Sequence, residues 1–209
     1  PKSYRFGTVG RPLDNVEIKI ASDGEILARG PNIMLGYYNK ENETNQAIKD
    51  QWFYTGDIGE IDADGFLKIT DRKKSLIITS GGKNVAPAPL ENALLNSVYI
   101  EQCIVVGDKK NFISALIVPN FEGVSDYLQE KGITISSNDA IVDHDLTLKL
   151  FDKIVADSME TFSNYEIVKK YTLLSNLWTL DKGELTPSLK TVRRKIVENY
   201  ESAIDSMYL

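Results

Sequence analysis

The chain has 209 residues, with 24 Lys plus Arg against 30 Asp plus Glu, a net charge of −6, an apolar share of 42% and a charged share of 26%. These are ordinary globular proportions, enough for one large domain or two modest ones, and they argue against wholesale disorder and against a nucleic-acid-coating surface. A single Cys (Cys103) and a single His (His144) exclude an intrachain disulfide, a Cys-based zinc site and a multi-His metal centre, so no metal ligand is assigned.

No stretch approaches the ~18 to 20 apolar residues needed to cross a bilayer, and the N-terminus has no apolar signal-peptide core. Cys103 falls in the apolar run Cys103-Ile104-Val105-Val106 and reads as strand core, which points to a reduced, cytoplasmic setting. The sequence starts without Met inside what reads as loop and strand, so it is expected to be a piece of something longer.

In chain order, Val16, Ile18 and Ile20 alternate with Glu17 and Lys19, the period-2 pattern of a half-buried strand. Ser22-Asp23-Gly24 supplies turn chemistry, and residues 25–29 return as the partner strand. Residues 42–49 predict a short helix. A second hairpin runs from Gly59 to Asp62, turns at Ala63-Asp64-Gly65 and returns from Phe66 to Thr70. Asp71-Arg72-Lys73-Lys74 is a charged break and the expected domain boundary.

Beyond it, an apolar strand is predicted over 75–79, then Ser80-Gly81-Gly82, then a helix carrying Leu90, Ala93 and Leu94 to about Ser97. Residues 100–106 and 112–118 read as two strands joined by a turn at 108–111. Phe121, Val124 and Leu128 mark a helix, and Leu150, Phe151, Ile154, Val155 and Met159 form one stripe of a longer helix over about 146–162. Val192, Ile196, Tyr200, Ile204 and Met207 predict one final helix. The fold class expected is α+β: a small antiparallel β-barrel-like subdomain (1–71), then an α+β C-terminal lid domain (72–209).

Three stretches offer chemistry. In Tyr54-Thr55-Gly56-Asp57, a carboxylate held beside a strand can accept hydrogen bonds from both hydroxyls of a vicinal diol, with charged acceptors contributing ~1.5 to 3 kcal/mol. A turn Asp capping its own backbone is the plainer alternative. Ser80-Gly81-Gly82-Lys83 does not have the P-loop spacing; its glycines suit close approach to an extended ligand, or else a flexible turn. In Glu184-Leu185-Thr186-Pro187-Ser188-Leu189-Lys190, Thr186 suits an N-cap and Pro187 the first helical position, which would put Lys190 in a first turn ahead of Arg193, Arg194 and Lys195. Cations there oppose the helix dipole by ~0.3 to 1 kcal/mol each, poor for stability but suited to meeting an anion. A solvated basic face is the competing explanation, and Lys182 is a competing lysine.

Taken together, the order Gly24-Glu25-Ile26 … Gly36-Tyr37, Trp52-Phe53-Tyr54-Thr55-Gly56-Asp57 … Asp64-Gly65, Asp71-Arg72-Lys73-Lys74 … Ser80-Gly81-Gly82-Lys83-Asn84-Val85 … Pro87 … Glu91 resembles the adenylate-forming acyl-CoA synthetase family. The ending Leu185-Thr186-Pro187-Ser188-Leu189-Lys190 … Arg193-Arg194 looks most like its long-chain fatty acid–CoA ligase branch.

That resemblance implies a two-step reaction: ATP and a fatty acid give acyl-adenylate and pyrophosphate, and CoA then displaces AMP to form the thioester. It implies that Asp57 binds the ribose hydroxyls with Arg72 assisting, that Asp71 is a hinge, that Lys190 is catalytic in adenylation, and that Gly81 and Gly82 line a path for the pantetheine of CoA. The cofactor set implied is ATP with Mg2+, whose ligand does not fall in this segment, and CoA as substrate.

Members of that family are much longer, and the phosphate loop, the adenine-binding block and the acyl tunnel have no counterpart here. The expectation is therefore a C-terminal portion that depends on a missing N-terminal domain of the same chain and is inactive by itself in adenylation. Partners implied are fatty acid, ATP or AMP and CoA, with no nucleic acid; peripheral attachment of the parent at the inner membrane face stays open. Two rival readings are an adenylating enzyme that loads a carrier-protein thiol, and a non-catalytic nucleotide-binding module of the same fold.

Overall fold

The computed structural model describes residues 4–209, which divide into two compact units between Leu76 and Ile77. In the first unit, β1 (Glu17–Ile20) and β2 (Glu25–Arg29) form the expected hairpin, with Glu17 opposite Arg29 and Ile20 opposite Ile26. Next come α1 (Glu41–Ala47), the two-residue β3 (Ile48–Lys49), the long β4 (Trp52–Ile61) and β5 (Leu67–Arg72).

The second hairpin turns as its residues demand. Asp62 Oδ1 accepts from the amides of Asp64 and Phe66, both at 2.9 Å, and Gly65 takes a left-handed φ of 81°. Those amides hold the Asp62 carboxyl below the ordinary carboxylate range, the Phe66 amide most. Gly59 sits at a bulge where β4 shifts register against β5; a Cβ there would press into Lys68 O and lie 2.7 Å from Ile26 Cδ1, so the strands close only over glycine.

The sheet is antiparallel but does not close into a barrel. Its order is β1-β2-β4-β3, with β5 also on β4. One end of β4 is flanked by β3 (Phe53 opposite Ile48) and the other by β5 (Asp57 opposite Arg72). The four-residue β1 and two-residue β3 are too short to curl the sheet back on itself.

The first unit ends in a 3₁₀ turn (Lys73–Ser75), and the second begins with the short pair β6 (Ile77–Ile78) and β7 (Asn84–Val85), in place of a strand over all of 75–79. It continues through α2 (Pro87–Leu95), β8 (Ile100–Val106), β9 (Ile113–Pro119), α3 (Phe121–Glu130), α4 (Asn138–Val142), α5 (Asp145–Met159), β10 (Val168–Leu173), α6 (Arg193–Asn199) and α7 (Glu201–Ser206). Strands β8 and β9 pair antiparallel. β10 joins β9 in parallel, and the connection between them carries α3, α4 and α5, the long crossover that parallel pairing needs.

Both faces of this sheet are covered, which is why β8 and β9 read as unbroken apolar runs. Cys103, Val105, Ile113, Ala115 and Ile117 pack with Leu90, Leu94, Phe151, Val155 and Met159 on one side. Ile104, Val106, Leu116 and Val118 pack with Trp178, Ile196, Ile204 and Met207 on the other. Burial pushes the Cys103 thiol up to about 12, as befits a small core side chain and not a nucleophile.

The single C-terminal helix is corrected. The backbone breaks at Tyr200 (φ −116°, ψ 22°), giving α6 and α7, because Ile196 on one segment and Ile204 and Met207 on the other must all reach the same sheet face. No helix among the described residues is long and apolar enough to cross a membrane.

Candidate functional site

The first unit brings Asp57, Asp71 and Arg72 together on the β4–β5 ladder. Register places Asp57 opposite Arg72, and the guanidinium Nε meets Asp57 Oδ1 at 2.6 Å. Arg72 is 72% exposed and Asp57 24%, so the pair contributes ~1 kcal/mol or less to stability and acts chiefly to orient the carboxylate. Asp57 thus sits inside a strand with its carboxylate engaged across the ladder. Asp71 precedes it in β5, where its Oδ1 accepts the Arg72 amide at 2.6 Å.

The Thr55-Gly56-Asp57 segment is shaped by a residue to which the sequence reading assigned no role. Glu25, 3% exposed, accepts the Gly56 amide through Oε1 at 2.9 Å and the Lys73 ammonium through Oε2 at 2.8 Å. Thr55 Oγ1 donates to Ile26 O at 2.8 Å and accepts the Asp57 amide at 3.1 Å. Gly56 takes a φ of 73°, closed to most side chains.

Lys73 also meets Asp23 at 2.6 Å. Hydrogen bonds donated to Asp23 first and Glu25 second push its ammonium up to about 12, while Lys73 holds Asp23 below the carboxylate range. One buried carboxylate therefore pins both the Thr-Gly-Asp bend and the chain just past β5. Glu25, Thr55 and Lys73 line an open cleft of ≈ 1020 Å³ with Tyr37, Tyr54, Gly56, Arg72 and Lys74. The signal for Glu25 is faint: an acid following a turn Asp-Gly, directly ahead of the apolar Ile26-Leu27-Ala28.

In the second unit, Gly81 and Gly82 form the tip of the β6–β7 hairpin. Thr79 N donates to Lys83 O at 3.0 Å, and Gly82 N, at a φ of 73°, donates to Thr79 O at 2.9 Å. Ser80 anchors the tip by its amide on Lys110 O at 2.9 Å and its hydroxyl on Asn111 Oδ1 at 2.8 Å. The turn is thus hydrogen-bonded throughout, not loose. Gly82 is required by its backbone; Gly81 is not, since a Cβ there would meet only Thr79 Oγ1 at 4.0 Å.

Lys190 is not in a helix. Thr186 caps its own hairpin: Thr186 N donates to Lys190 O at 2.8 Å, Leu189 N to Thr186 O at 2.8 Å, and Lys190 N to Thr186 Oγ1 at 3.1 Å. Leu185 and Thr191 bridge the base, Leu189 takes a φ of 58°, and the helix starts only at Arg193. The cap-and-proline signal is satisfied locally by this turn, and pairing of Leu185 with Thr191 overrides helix initiation. The Lys190 side chain is solvent-exposed. Lys182 lies on a separate tight turn, with its amide 3.4 Å from Thr179 Oγ1.

Two anchors flank the hairpin, and neither is evident from spacing. Glu184 is fully buried. Arg193 and Glu91 together engage the Val105 backbone: Arg193 Nη1 donates to Val105 O, Glu91 Oε1 accepts the Val105 amide at 2.7 Å, and Arg193 Nη2 closes the ion pair to Glu91. Among the described residues, no group of three His, Cys, Asp or Glu is arranged to hold a metal ion.

Residues 74–209 match the family model described as the AMP-binding enzyme C-terminal domain. The chain is 42% identical over 206 residues to the long-chain-fatty-acid–CoA ligase FadD15 of Mycobacterium tuberculosis, covering 98% of this chain and 34% of that protein. It is 32% identical over 232 residues to the long-chain-fatty-acid–CoA ligase ACSBG1 of Bos taurus, covering 100% of this chain and 32% of the relative. Among solved structures, O-succinylbenzoate coenzyme A synthetase from Bacillus subtilis in complex with AMP matches with a TM-score of 0.62 at 29% identity, over 91% of this chain and 35% of that one. The chain thus spans about a third of the length of the relatives it matches. On this agreement of motif order, fold and sequence, the chain belongs to the AMP-binding, adenylate-forming enzyme family, with residues 74–209 as its C-terminal domain.

Proposed function

We propose that this chain serves as the C-terminal portion of an ATP-dependent long-chain fatty acid–CoA ligase. The observation that carries the reading is the likeness over nearly the whole chain to long-chain-fatty-acid–CoA ligases, up to 42% identity with FadD15. In the first half-reaction the fatty acid carboxylate attacks the α-phosphorus of ATP, forming acyl-adenylate and releasing pyrophosphate. In the second the CoA thiol attacks the acyl carbon, and the thioester forms as AMP leaves with the bonding electron pair.

Asp57 accepts the ribose hydroxyls of the nucleotide, held in register by Arg72 beside the ribose. Adenylation gathers carboxylate and phosphate anions at one centre, and the exposed ammonium of Lys190 offsets the charge that builds there, a contribution of ~3 to 4 kcal/mol in a closed, low-dielectric site. Asp71 is the point about which residues 72–209 turn between the half-reactions, taking Lys190 away and bringing Gly81 and Gly82 to the pantetheine arm. The side-chain-free tip of the β6–β7 hairpin supports that last role, since Gly81 is not demanded by its own turn. Magnesium would accompany ATP on residues outside this segment. The setting proposed is the reduced cytoplasm.

The test is Lys190→Ala in the full-length enzyme. ATP–pyrophosphate exchange is expected to fall about 10²- to 10³-fold, with thioester formation from supplied acyl-adenylate retained. Equal losses in both half-reactions would sink the role given to Lys190.

A further inference from the structure

A lysine that works by delivering charge has a long flexible stem, so its precision comes from the backbone that carries it. The hairpin around Lys190 is short and exposed, with a left-handed Leu189; its internal bonds through Thr186 set its shape, but not where it sits on the rest of the domain. Its base, by contrast, is held by a completely buried carboxylate. Glu184 Oε2 accepts the Thr179 amide at 3.0 Å, Glu184 Oε1 accepts Asn199 Nδ2 at 3.0 Å, and the Glu184 carbonyl accepts the Val192 amide at 2.8 Å. The side chain therefore ties the turn that precedes the hairpin to the end of α6, while the backbone carbonyl of the same residue holds Val192, where the hairpin ends.

Desolvating a carboxylate is costly, and the donors that face Glu184 in these contacts are amides without a formal charge. Tyr200 also feels this group: its phenol is pushed up, first by burial and then by the Glu184 charge. On the far side, Arg193 follows Val192 directly and is locked with Glu91 onto the Val105 backbone of β8. The hairpin thus leaves and re-enters a rigid frame at both ends.

We propose that Glu184, aided by the Glu91–Arg193 pair, is a positioning residue for Lys190, fixing the hairpin so that the ammonium is presented to the reacting anions in one geometry. This rests on the reading of Lys190 as the adenylation lysine. The carboxylate has no reach to substrate itself; it acts through the backbone of residues 185–192. A displacement of about 1 Å at a reacting group can lower a rate about 10²-fold, so loosening the base is expected to be felt at the ammonium.

The experiment compares E184Q, T186V, K190A and E184Q/K190A in the full-length enzyme, with both half-reactions measured separately. Gln keeps the shape of Glu184 but turns an NH2 toward one of its two donors; T186V removes the acceptor of the Lys190 amide and the partner of the Ser188 hydroxyl, both within the hairpin, and leaves the Glu184 contacts in place. E184Q is expected to lower ATP–pyrophosphate exchange about 10²-fold and T186V about fivefold, each with thioester formation from supplied acyl-adenylate within about twofold of wild type. The double variant is expected to be no slower in exchange than K190A alone, because both act through one ammonium. If K190A is selective but E184Q slows both half-reactions alike, deepens the K190A defect or leaves exchange unchanged, the positioning role is overturned while the Lys190 reading stands. If E184Q does not fold, T186V decides: a selective loss supports the proposal and a wild-type rate refutes it. If K190A itself is unselective, the underlying reading fails, and the inference with it.

Discussion

The two units solve the problem of holding a charged side chain in opposite ways. In the first, Asp57 and Arg72 are set by strand register, and beside them the deeply buried Glu25 is paired with Lys73. In the second, Lys190 stands on an irregular hairpin, and order comes from beneath it, through the uncharged-donor shell of Glu184 and a sheet covered on both faces. A ladder tolerates exposure because backbone bonds repeat along it. An irregular loop has no such repeat and depends on a few buried polar contacts, each costly to lose.

That contrast can be broken most sharply in the core of the second unit. Phe151 is fully buried against the sheet and α2, so Phe151→Ala should cost about 3–5 kcal/mol, read as a lowered denaturation midpoint and as loss of amide protection in β8 and β9. Protection in β4 and β5 falling to the same extent would show that the units do not differ as described. The matching probe of the first unit is Gly59→Ala, whose Cβ would collide with the Lys68 carbonyl; a cost of about 2 kcal/mol is expected, seen as faster exchange in β4 and β5. Wild-type exchange would mean the bulge relaxes freely.

The smallest effect sharpens the role of the buried acid. Lys73→Met leaves Glu25 without its cation, but Lys73 is 43% exposed and water can partly take its place, so about 1 kcal/mol is expected. The pH dependence has a definite sign. Lys73 is raised when folded, so its contribution is full below its ordinary value of 10.5 and is lost as pH rises through about 12; Asp23 is lowered, so its contribution is present above the ordinary carboxylate range and is lost as pH falls below it. In a pH titration of stability the variant should lose the alkaline limb and shrink the acid one, which the Glu25 amide on Asp23 still supports, and an unchanged profile would show that Lys73 couples to neither carboxylate.

Much of the framework could be read in the residues because it rests on local or periodic physics. Asp-Gly steps marked the turns at 23–24 and 64–65, since few residues tolerate left-handed backbone, and the apolar runs marked β8 and β9 because both faces are dry. The stripe around Phe151 and the block order that signals the family are likewise one-dimensional. Reading was harder where polar residues made a strand: Val168–Leu173 contains Lys169 and Lys170 on an edge, and its pairing with β9 is parallel and distant in sequence.

What the chain determined by itself was therefore its turns, its doubly buried strands, most of its helices and its family, all of which follow from backbone stereochemistry and hydrophobic period. Tertiary structure decided the rest. It opened the first sheet, split the last helix at Tyr200, and turned the Thr186-Pro187 helix start into a hairpin by pairing Leu185 with Thr191 and Val192 with Glu184. Glu25, Glu184 and Glu91 look like any other surface acid in the sequence. Only packing takes Glu25 and Glu184 out of water and half-buries Glu91, and only then does a carboxylate gain the grip that shapes a site.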